Sequence, residues 1–515
     1  MRTQTKRALT ATMITLAAVV AAMLLLPGDS AIAQAPAKGA PAKGKFGKGK
    51  FKGKAGKGKG KGKGGFAADI DYPRGLIKKT DLATPGYVLF APLNSVTSYL
   101  VDINGQIVHT WDSTMIPSAW FYALKNGDFL RGGHEVDTAF TAAAQGGAFQ
   151  EFNWDGDIVW HHSINDEVRL PHHDVEVLPN GHILAILWER KSFEESNKVG
   201  RAEGAVPESG LWPDMLVELE PTRPEGARVV WEWHTWDHLI QDQDPSAPNY
   251  GVLSEHPERI NVNGDLLDAP VGNGPVSNEI FHTNAVNYNP KLDQVAVSVP
   301  RFDEIWIIDH STTTAEAAGS TGGRYGKGGD LLYRWGNPQI YGRGTEDDKM
   351  LGFEHDIKWI DDGLPGAGHL MVFSNRKAPK EGNNSAVMEF IPPMNADGSY
   401  RIADGKPYGP AEPVWRYTDE AHLNAFYISG AQRLPNGNTL ITDGPNGRFF
   451  EVTPGRAVVW DYWSPVQGPA EGLPSGAPNR YASFRSTKIL PDDPWLAGHD
   501  LSPLNPQPVV PQTEE

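Results

Sequence analysis

Three histidines stand at matched places in the chain: His173 in LPHHDVEVLPNG, His282 in FHTNAVNYNPKLD and His355 in FEHDIKWIDDG, each a few residues ahead of a turn. Imidazoles brought together in one cavity can do two different kinds of chemistry. Three neutral rings plus water can hold zinc or copper with an open position, the donor set of a metal-dependent hydrolase, lactonase or lyase. Beside a guanidinium they form a seat for an anion with several oxygens. Arg301, in SVPRFDEIW, is placed by the strand pattern directly above His282. A fixed cation next to a divalent ion is repulsive unless an anionic substrate lies between them, so Arg301 speaks against the metal. A third reading is a non-catalytic, exported ligand-binding protein.

Trp188-Glu189-Arg190 and Asn375-Arg376 occupy places comparable to that of Arg301 in neighbouring repeats. Arg190, Arg376 and Asn284 are therefore candidate substrate contacts. Asp174, Asp356 and Asn284 follow the key histidines and are expected either to orient them or to bond at turns and sheet edges. Strand alternation puts His172 on the opposite side from His173, as packing or support. His422 matches no strand position and is expected to be exposed. His109, His161, His162 and His310 lie on or near outer hairpins and read as surface groups.

What positions the histidines is a repeat partly hidden by insertions. Six segments read as a β-rich strand, a turn and a strand carrying Trp or Tyr: SYLVDINGQIVHTW, AFQEFNWDGDIVW, then MLVELEP to ARVVWEW, EIWIIDHS to LLYRW, AVMEFIPP to EPVWRY, and RFFEVTPGRAVVWDY. Gly in their tight turns accepts the positive φ that hairpins require. Trp111, Trp160, Trp231, Trp335, Trp415 and Trp460 are then expected to pack between neighbouring sheets. A second series, from WFYALKNGDFL to FRSTKILPDD, supplies inner hairpins. The pattern predicts an all-β, six-bladed β-propeller over residues 80–495. Residues 481–490 are expected to complete a blade begun near residue 86, so that N- and C-terminal strands close the ring and leave no open sheet edge. Insertions 234–279 and 336–352 are blade-to-blade crossings expected to roof the mouth that the histidines face.

Composition bounds the rest. The 515 residues are 39% hydrophobic with 16 Trp, enough for a large core, and contain no Cys, which excludes disulfides, thiolate ligands and cysteine nucleophiles. The opening MRTQTKR, the apolar run at 8–26 and Ser30-Ala31-Ile32-Ala33 read as a signal peptide over 1–33, with an uncleaved anchor as the alternative and as the only expected membrane contact. Either reading implies a periplasmic or secreted body. Residues 34–66 form a Lys/Gly-rich segment with eleven Lys and too little apolar surface to order itself, and 496–515 read as a Pro-rich tail without chemistry. Residues 66–515 hold 33 basic against 62 acidic residues, a formal charge of −29 that excludes nucleic acid as a partner through bulk charge.

HTNAVNYNPKLDQVAVSVPRFDEIWIIDHS and FYISGAQRLPNGNTLITDGPNGRFFEV resemble bacterial arylsulfotransferases that use no nucleotide sulfate donor. The resemblance runs from about Gly86 to Asp492 and implies a six-bladed propeller with a histidine that becomes sulfated. It implies His355 as nucleophile, with His173, His282 and Arg301 binding the sulfuryl group. Its substrates are a small-molecule aryl sulfate and a phenol, used in a ping-pong cycle through a sulfohistidine, with no cofactor and no metal.

Overall fold

A computed structural model describes residues 73–136, 138–267, 276–376, 384–468 and 480–507. The expected signal peptide and Lys/Gly-rich segment lie outside the described residues. Six antiparallel sheets follow one another along the chain. Blade one pairs the last strand, Ser483–Ile489, with Tyr87–Pro92, Thr97–Asp102 and Ile107–Asp112, in the register Tyr87 to Ile489 and Val88 to Lys488. Blade two runs Pro117–Ala123, Phe129–His134, Gly147–Phe152 and Ile158–Ser163; blade three Arg169–Val177, Ile183–Glu189, Asp214–Pro221 and Ala227–His234. Blade four is Ala285–Asn289, Gln294–Val299, Glu304–Asp309 and Tyr333–Trp335, and blade five Glu354–Trp359, Leu370–Ser374, Ala386–Phe390 and Trp415–Tyr417. Blade six, Gly430–Arg433, Thr439–Asp443, Arg448–Val452 and Val458–Trp463, carries a fifth, outer strand, Gly75–Lys79. The sheet domain thus begins before residue 80.

Blades meet through two kinds of tie. At the rim, outer-strand indoles reach across. Trp160 donates to Gly226 O at 2.8 Å, Trp231 to Thr312 Oγ1 at 3.2 Å, Trp335 to Pro410 O at 2.8 Å, Trp415 to Pro454 O at 3.0 Å and Trp460 to Ile103 O at 2.9 Å. Indole suits the place because its ring fills the gap while its one N–H finds a carbonyl on the next blade. Full burial of an indole contributes roughly 4 to 6 kcal/mol of transfer energy, and the half-buried Trp415 gains less. Trp111 is the exception: its N–H is unpartnered, and its ring stacks on Phe129 and Trp495.

Near the axis, polar side chains accept from the neighbouring inner strand. Asp174 takes Val286 N at 3.1 Å, Asn287 takes Trp359 N at 2.9 Å, Asp356 takes Ala431 N at 2.8 Å and Gln432 takes Lys488 N at 2.7 Å. These bonds satisfy buried amides that face no strand partner.

The C-terminal segment does not hang free. Trp495 and Leu496 are buried, and Leu504 N and Gln507 Nε2 donate to Ile107 O while Gln507 Oε1 accepts Ile107 N, strapping the chain to the outer strand of blade one. The expectation of a free tail from 496 is corrected as far as Gln507; its apolar Leu501 and Leu504 give it a surface to pack. The long crossings lie where the insertions place them, at residues 235–284 and 336–353. Asn261 donates to Ile340 O, and Arg201, from blade three, pairs with Asp265, so the two crossings and a neighbouring loop are tied to one another. Among the described residues no helix is long and apolar enough to cross a membrane.

Candidate active site

The inner strands do not simply alternate. Their starts carry a ring of left-handed, non-glycine residues: Ala119 in blade two, His173 in three, His282 just before four, Phe353 and Asp356 at five, Ile428 and Ser429 before six. Such φ values are strained for residues with a Cβ, and strain of this kind gathers where side-chain direction matters more than stability. In blade three the register slips between Ala185 and Leu187, in blade five between His355 and Lys358. The resulting bulges re-aim the side chains.

All three expected histidines come together. His173 and His282 pack edge to face with ring centroids 4.4 Å apart. His355 joins through shared phenylalanines: Phe353 lies 6.0 Å from His282 and 5.8 Å from His355, and Phe484 lies 6.2 Å from His173 and 6.0 Å from His355. All three are buried. Each ring has Nδ1 tied to a supporting group. His355 Nδ1 meets Asn375 Oδ1 at 2.7 Å, His282 Nδ1 meets Glu279 Oε1 at 2.5 Å, and His173 Nδ1 meets His172 Nδ1 at 2.7 Å. The Nε2 atoms of His173 and His282 have no hydrogen-bond partner, and that of His355 accepts Ile428 N at 3.2 Å. The site therefore presents three Nε2 atoms.

The supports fix where protons sit. Asp214 Oδ1 lies 3.4 Å from His172 Nε2, a charge contact without hydrogen-bond geometry that favours a proton there. His172 Nδ1 then accepts, His173 Nδ1 donates, and the lone pair of His173 is on Nε2. His172, stacked on Trp188 at 4.1 Å, is thus a support, as alternation suggested, though the bulge keeps it touching His173.

Burial pushes the His355 imidazole down to about 3; Asn375 opposes the shift, while His282 and Arg485 add to it. His173 is held well below the usual histidine range by burial first and then by His282, His172, His355 and Arg485. Both rings are neutral near pH 7. Burial opposes the charge on Glu279, but His282 and Arg301 outweigh it and draw the carboxyl down to about 2. Arg301 stands beside this pair, 3.6 Å from Glu279 Oε2 and 3.3 Å from Ser277 Oγ, with its buried Nε unpartnered.

The other candidates divide. Arg376 reaches the site, its guanidinium 5.0 Å over the Phe353 ring. Arg190 is exposed, and the structure records no contact of its side chain with the cluster. Asn284 donates to Glu354 O at 2.8 Å and accepts from Ser298 Oγ at 2.6 Å, so it braces blade four against blade five. Asp174 and Asp356 do not orient the histidines. They grip Arg485, 2.6 Å from Nη1 and 3.1 Å from Nε.

Sequence reasoning missed Glu279, Asp214, Phe484 and Arg485, and gave Asn375 no role. Glu279 stands three residues before His282, and Arg485 lies on a strand already read as innermost, so both were open to a spacing argument. Asp214 is distant in sequence and left no local signal. His310 is a further correction: it is largely buried between Asp293 at 2.9 Å and Glu218 at 3.0 Å, which overcome burial and raise it to about 9. His422 is exposed, as expected. Among the described residues no three His, Cys, Asp or Glu side chains are grouped to hold a metal ion.

The arylsulfotransferase (ASST) family profile matches residues 88–458. The chain belongs to that family. The matched span contains His173, His282, Arg301, His355 and Asn375, while Phe484 and Arg485 lie beyond it. Among curated proteins no relative matches the chain. Solved structures similar to this arylsulfotransferase-family chain include a Bacteroides caccae protein of unknown function, with 11% identity, 79% of this chain and 99% of that chain covered and a TM-score of 0.41. The β-propeller domain of Myceliophteria thermophila Cps50 (Swd1) is 12% identical over 77% of this chain and 90% of that one, with a TM-score of 0.37. A catalytically inactive variant of virginiamycin B lyase from Staphylococcus aureus is 8% identical over 77% and 89%, with a TM-score of 0.34. None of these superpositions is close.

Proposed function

We propose that this chain moves a sulfuryl group from an aryl sulfate to a phenol in two steps, with His355 as the intermediate carrier. The observation that carries the reading is a neutral, buried His355 clustered through Phe353 and Phe484 with two further imidazoles, with the Arg301 guanidinium beside the Glu279 that supports His282. In the first step the Nε2 lone pair forms an N–S bond as the S–O bond to the aryl group breaks, and the departing phenolate takes the bonding pair and a proton. In the second, a phenol oxygen attacks the sulfur as the N–S bond breaks and its pair returns to His355 Nε2, while the phenol proton is taken up by the site.

Charge spreads over the sulfuryl oxygens at the transition state, so fixed donors matter most. Arg301 offers an unpartnered Nε for them. His282, paired with the anionic Glu279, suits the delivery of a proton to the leaving oxygen and, once neutral, the recovery of that proton from the acceptor, which restores it for the next cycle. Phe353 and Phe484 supply flat apolar surface of the kind an aryl ring covers.

The N-terminal pattern supports export, to the periplasm or beyond, as the setting. The metal reading is weaker because the three Nε2 atoms are accompanied by Arg301 and one already accepts a backbone N–H.

Intact-mass spectrometry after incubation with a nitrophenyl sulfate tests the proposal. A gain of one sulfuryl group is expected, absent in His355→Ala and discharged by added phenol. Arg301→Ala should slow the first step by ~10² to 10³-fold. Full transfer by both variants would overturn the assignment.

A further inference from the structure

Asn375 sits where it can decide which nitrogen of His355 is the nucleophile. Its amide orientation is not free: Nδ2 donates to Ala425 O at 2.7 Å and to Ile428 O at 2.7 Å, both buried carbonyls. Oδ1 is therefore the atom that faces His355 Nδ1 at 2.7 Å, and it can only accept, as can Phe353 O, the more distant partner of the same nitrogen at 3.3 Å. A proton is required on Nδ1. The other side of the ring gives the same answer independently, because Ile428 N–H points at Nε2 from 3.2 Å and an N–H can only meet a lone pair. Ile428 is held there with φ 48° and Ser429 with φ 93°, conformations that a β-branched residue and a serine adopt only when their surroundings impose them. Ser385 adds to the constraint, donating to Asn375 O and accepting Ala425 N.

We propose that Asn375 is a positioning residue that commits His355 to the Nδ1–H tautomer, making Nε2 the one attacking nitrogen, and that stabilises the ring as sulfuryl transfer makes it cationic. This inference rests on the sulfuryl-transfer reading above. When Nε2 forms its bond to sulfur, the proton on Nδ1 stays, the ring gains a positive charge, and the hydrogen bond to Oδ1 becomes charge-assisted. No proton need leave His355 in either half-reaction. Ile428 N–H loses its acceptor at the same moment, and the sulfuryl oxygens on Nε2 are the nearest replacements.

Two variants separate this role from simple bracing of residues 425–428. Asn375→Asp keeps an acceptor for Nδ1–H but loses the amide donors to Ala425 and Ile428; Asn375→Leu loses both. Nitrogen-15 NMR of histidine-labelled protein, with His355→Ala to identify the signal, reads the tautomer, and rapid-quench mass spectrometry reads the rate of His355 sulfation by nitrophenyl sulfate.

The wild type and Asn375→Asp should show Nδ1–H, and Asn375→Leu, left with only Phe353 O and Ile428 N–H to hold the tautomer, should weaken that preference and sulfate on the order of 10²-fold more slowly, as loss of the partner that orients a working imidazole does. Asn375→Asp, placing a negative charge on Nδ1–H, should also move the acid limb of sulfation to higher pH and accumulate sulfated enzyme. Should Asn375→Leu fail to fold, Asn375→Asp alone decides: retention of Nδ1–H with a shifted acid limb supports the proposal. An unmoved limb, a lost tautomer in the Asp variant, or equal behaviour of the two variants would overturn it. A wild type that never becomes sulfated yet shows Nδ1–H would instead reject the transfer reading and leave the tautomer assignment standing.

Discussion

Replacing Arg485 by Met should destabilise the propeller in a way that depends on pH and is repaired by a second substitution. The guanidinium is buried on the last inner strand, 2.6 Å from Asp174 Oδ2, 3.1 Å from Asp356 Oδ1, and donating to Tyr122 Oη at 3.2 Å and Asn284 O at 2.9 Å. It thereby ties blades one, two, three, four and five at the axis. Burial disfavours its charge, but Asp174 and Asp356 outweigh this and raise its proton affinity above the ordinary arginine value.

The two carboxylates are not equally dependent on it. Asp356 keeps Lys358 Nζ at 3.0 Å and Ala431 N; Asp174 keeps only neutral donors, Tyr122 Oη and Val286 N. Most of the loss therefore falls on Asp174, one buried pair broken, about 3 to 5 kcal/mol. Burial already raises the Asp174 carboxyl, and without Arg485 it should rise further above its unfolded value of ~3.9. A folded state that holds its proton longer is penalised less in acid, so the deficit should be smaller at pH 5 than at pH 8. Denaturant unfolding of wild type, Arg485→Met and Arg485→Met with Asp174→Asn at both pH values reads this directly. The double variant should recover most of the loss. A single variant within about 1 kcal/mol of wild type at pH 8, or an Asp174→Asn substitution that deepens the loss, would refute the reasoning.

His310, raised to about 9 by Asp293 and Glu218 against an unfolded value of ~6.5, should contribute about 3 kcal/mol that is fully present below pH ~6.5 and lost as pH rises through about 9. The stability gap between wild type and His310→Gln, measured by denaturation, should close accordingly. Because His355 is held down to about 3, the burst of phenol release at limiting donor should show no acid limb from this group between pH ~5 and 8, and an inflection near pH 6.5 would contradict its burial. Glu279→Gln preserves shape but removes the charge facing His282 and Arg301, and should lower kcat/KM for aryl sulfate by on the order of 10²-fold with the fold intact by circular dichroism.

Much of the architecture was legible because it follows from periodicity. The outer indoles were placed between blades on spacing alone, and five of six donate across the gap. The positions of the three histidines and Arg301 were legible for the same reason: the histidines stand a few residues ahead of turns and Arg301 at a strand connection, and turns fix where strands begin. What spacing could not supply is tertiary pairing. Asp214 supports His172 from another strand of the blade, Arg485 comes from the far end of the chain, and His310 is buried by Asp293 and Glu218, so a position on an outer hairpin said nothing about its exposure.

Local backbone geometry was the other hidden variable, and it explains why strict alternation is a poor guide here. An ideal strand would send His172 and His173 to opposite faces. The bulge opposite Ile186, with His173 at φ 56°, brings their Nδ1 atoms to 2.7 Å instead and makes a support out of a residue that alternation would separate. His282 at φ 63° and the pair Phe353 and Asp356 at φ 52° and 59° repeat the device in the next two blades. Glycine would hold these conformations with less strain, but it has no ring to aim. The strain is tolerated because the inner strands are locked to one another by Asp174, Asn287, Asp356 and Gln432, and that locking is what allows three imidazoles from separate blades to stand in one cluster.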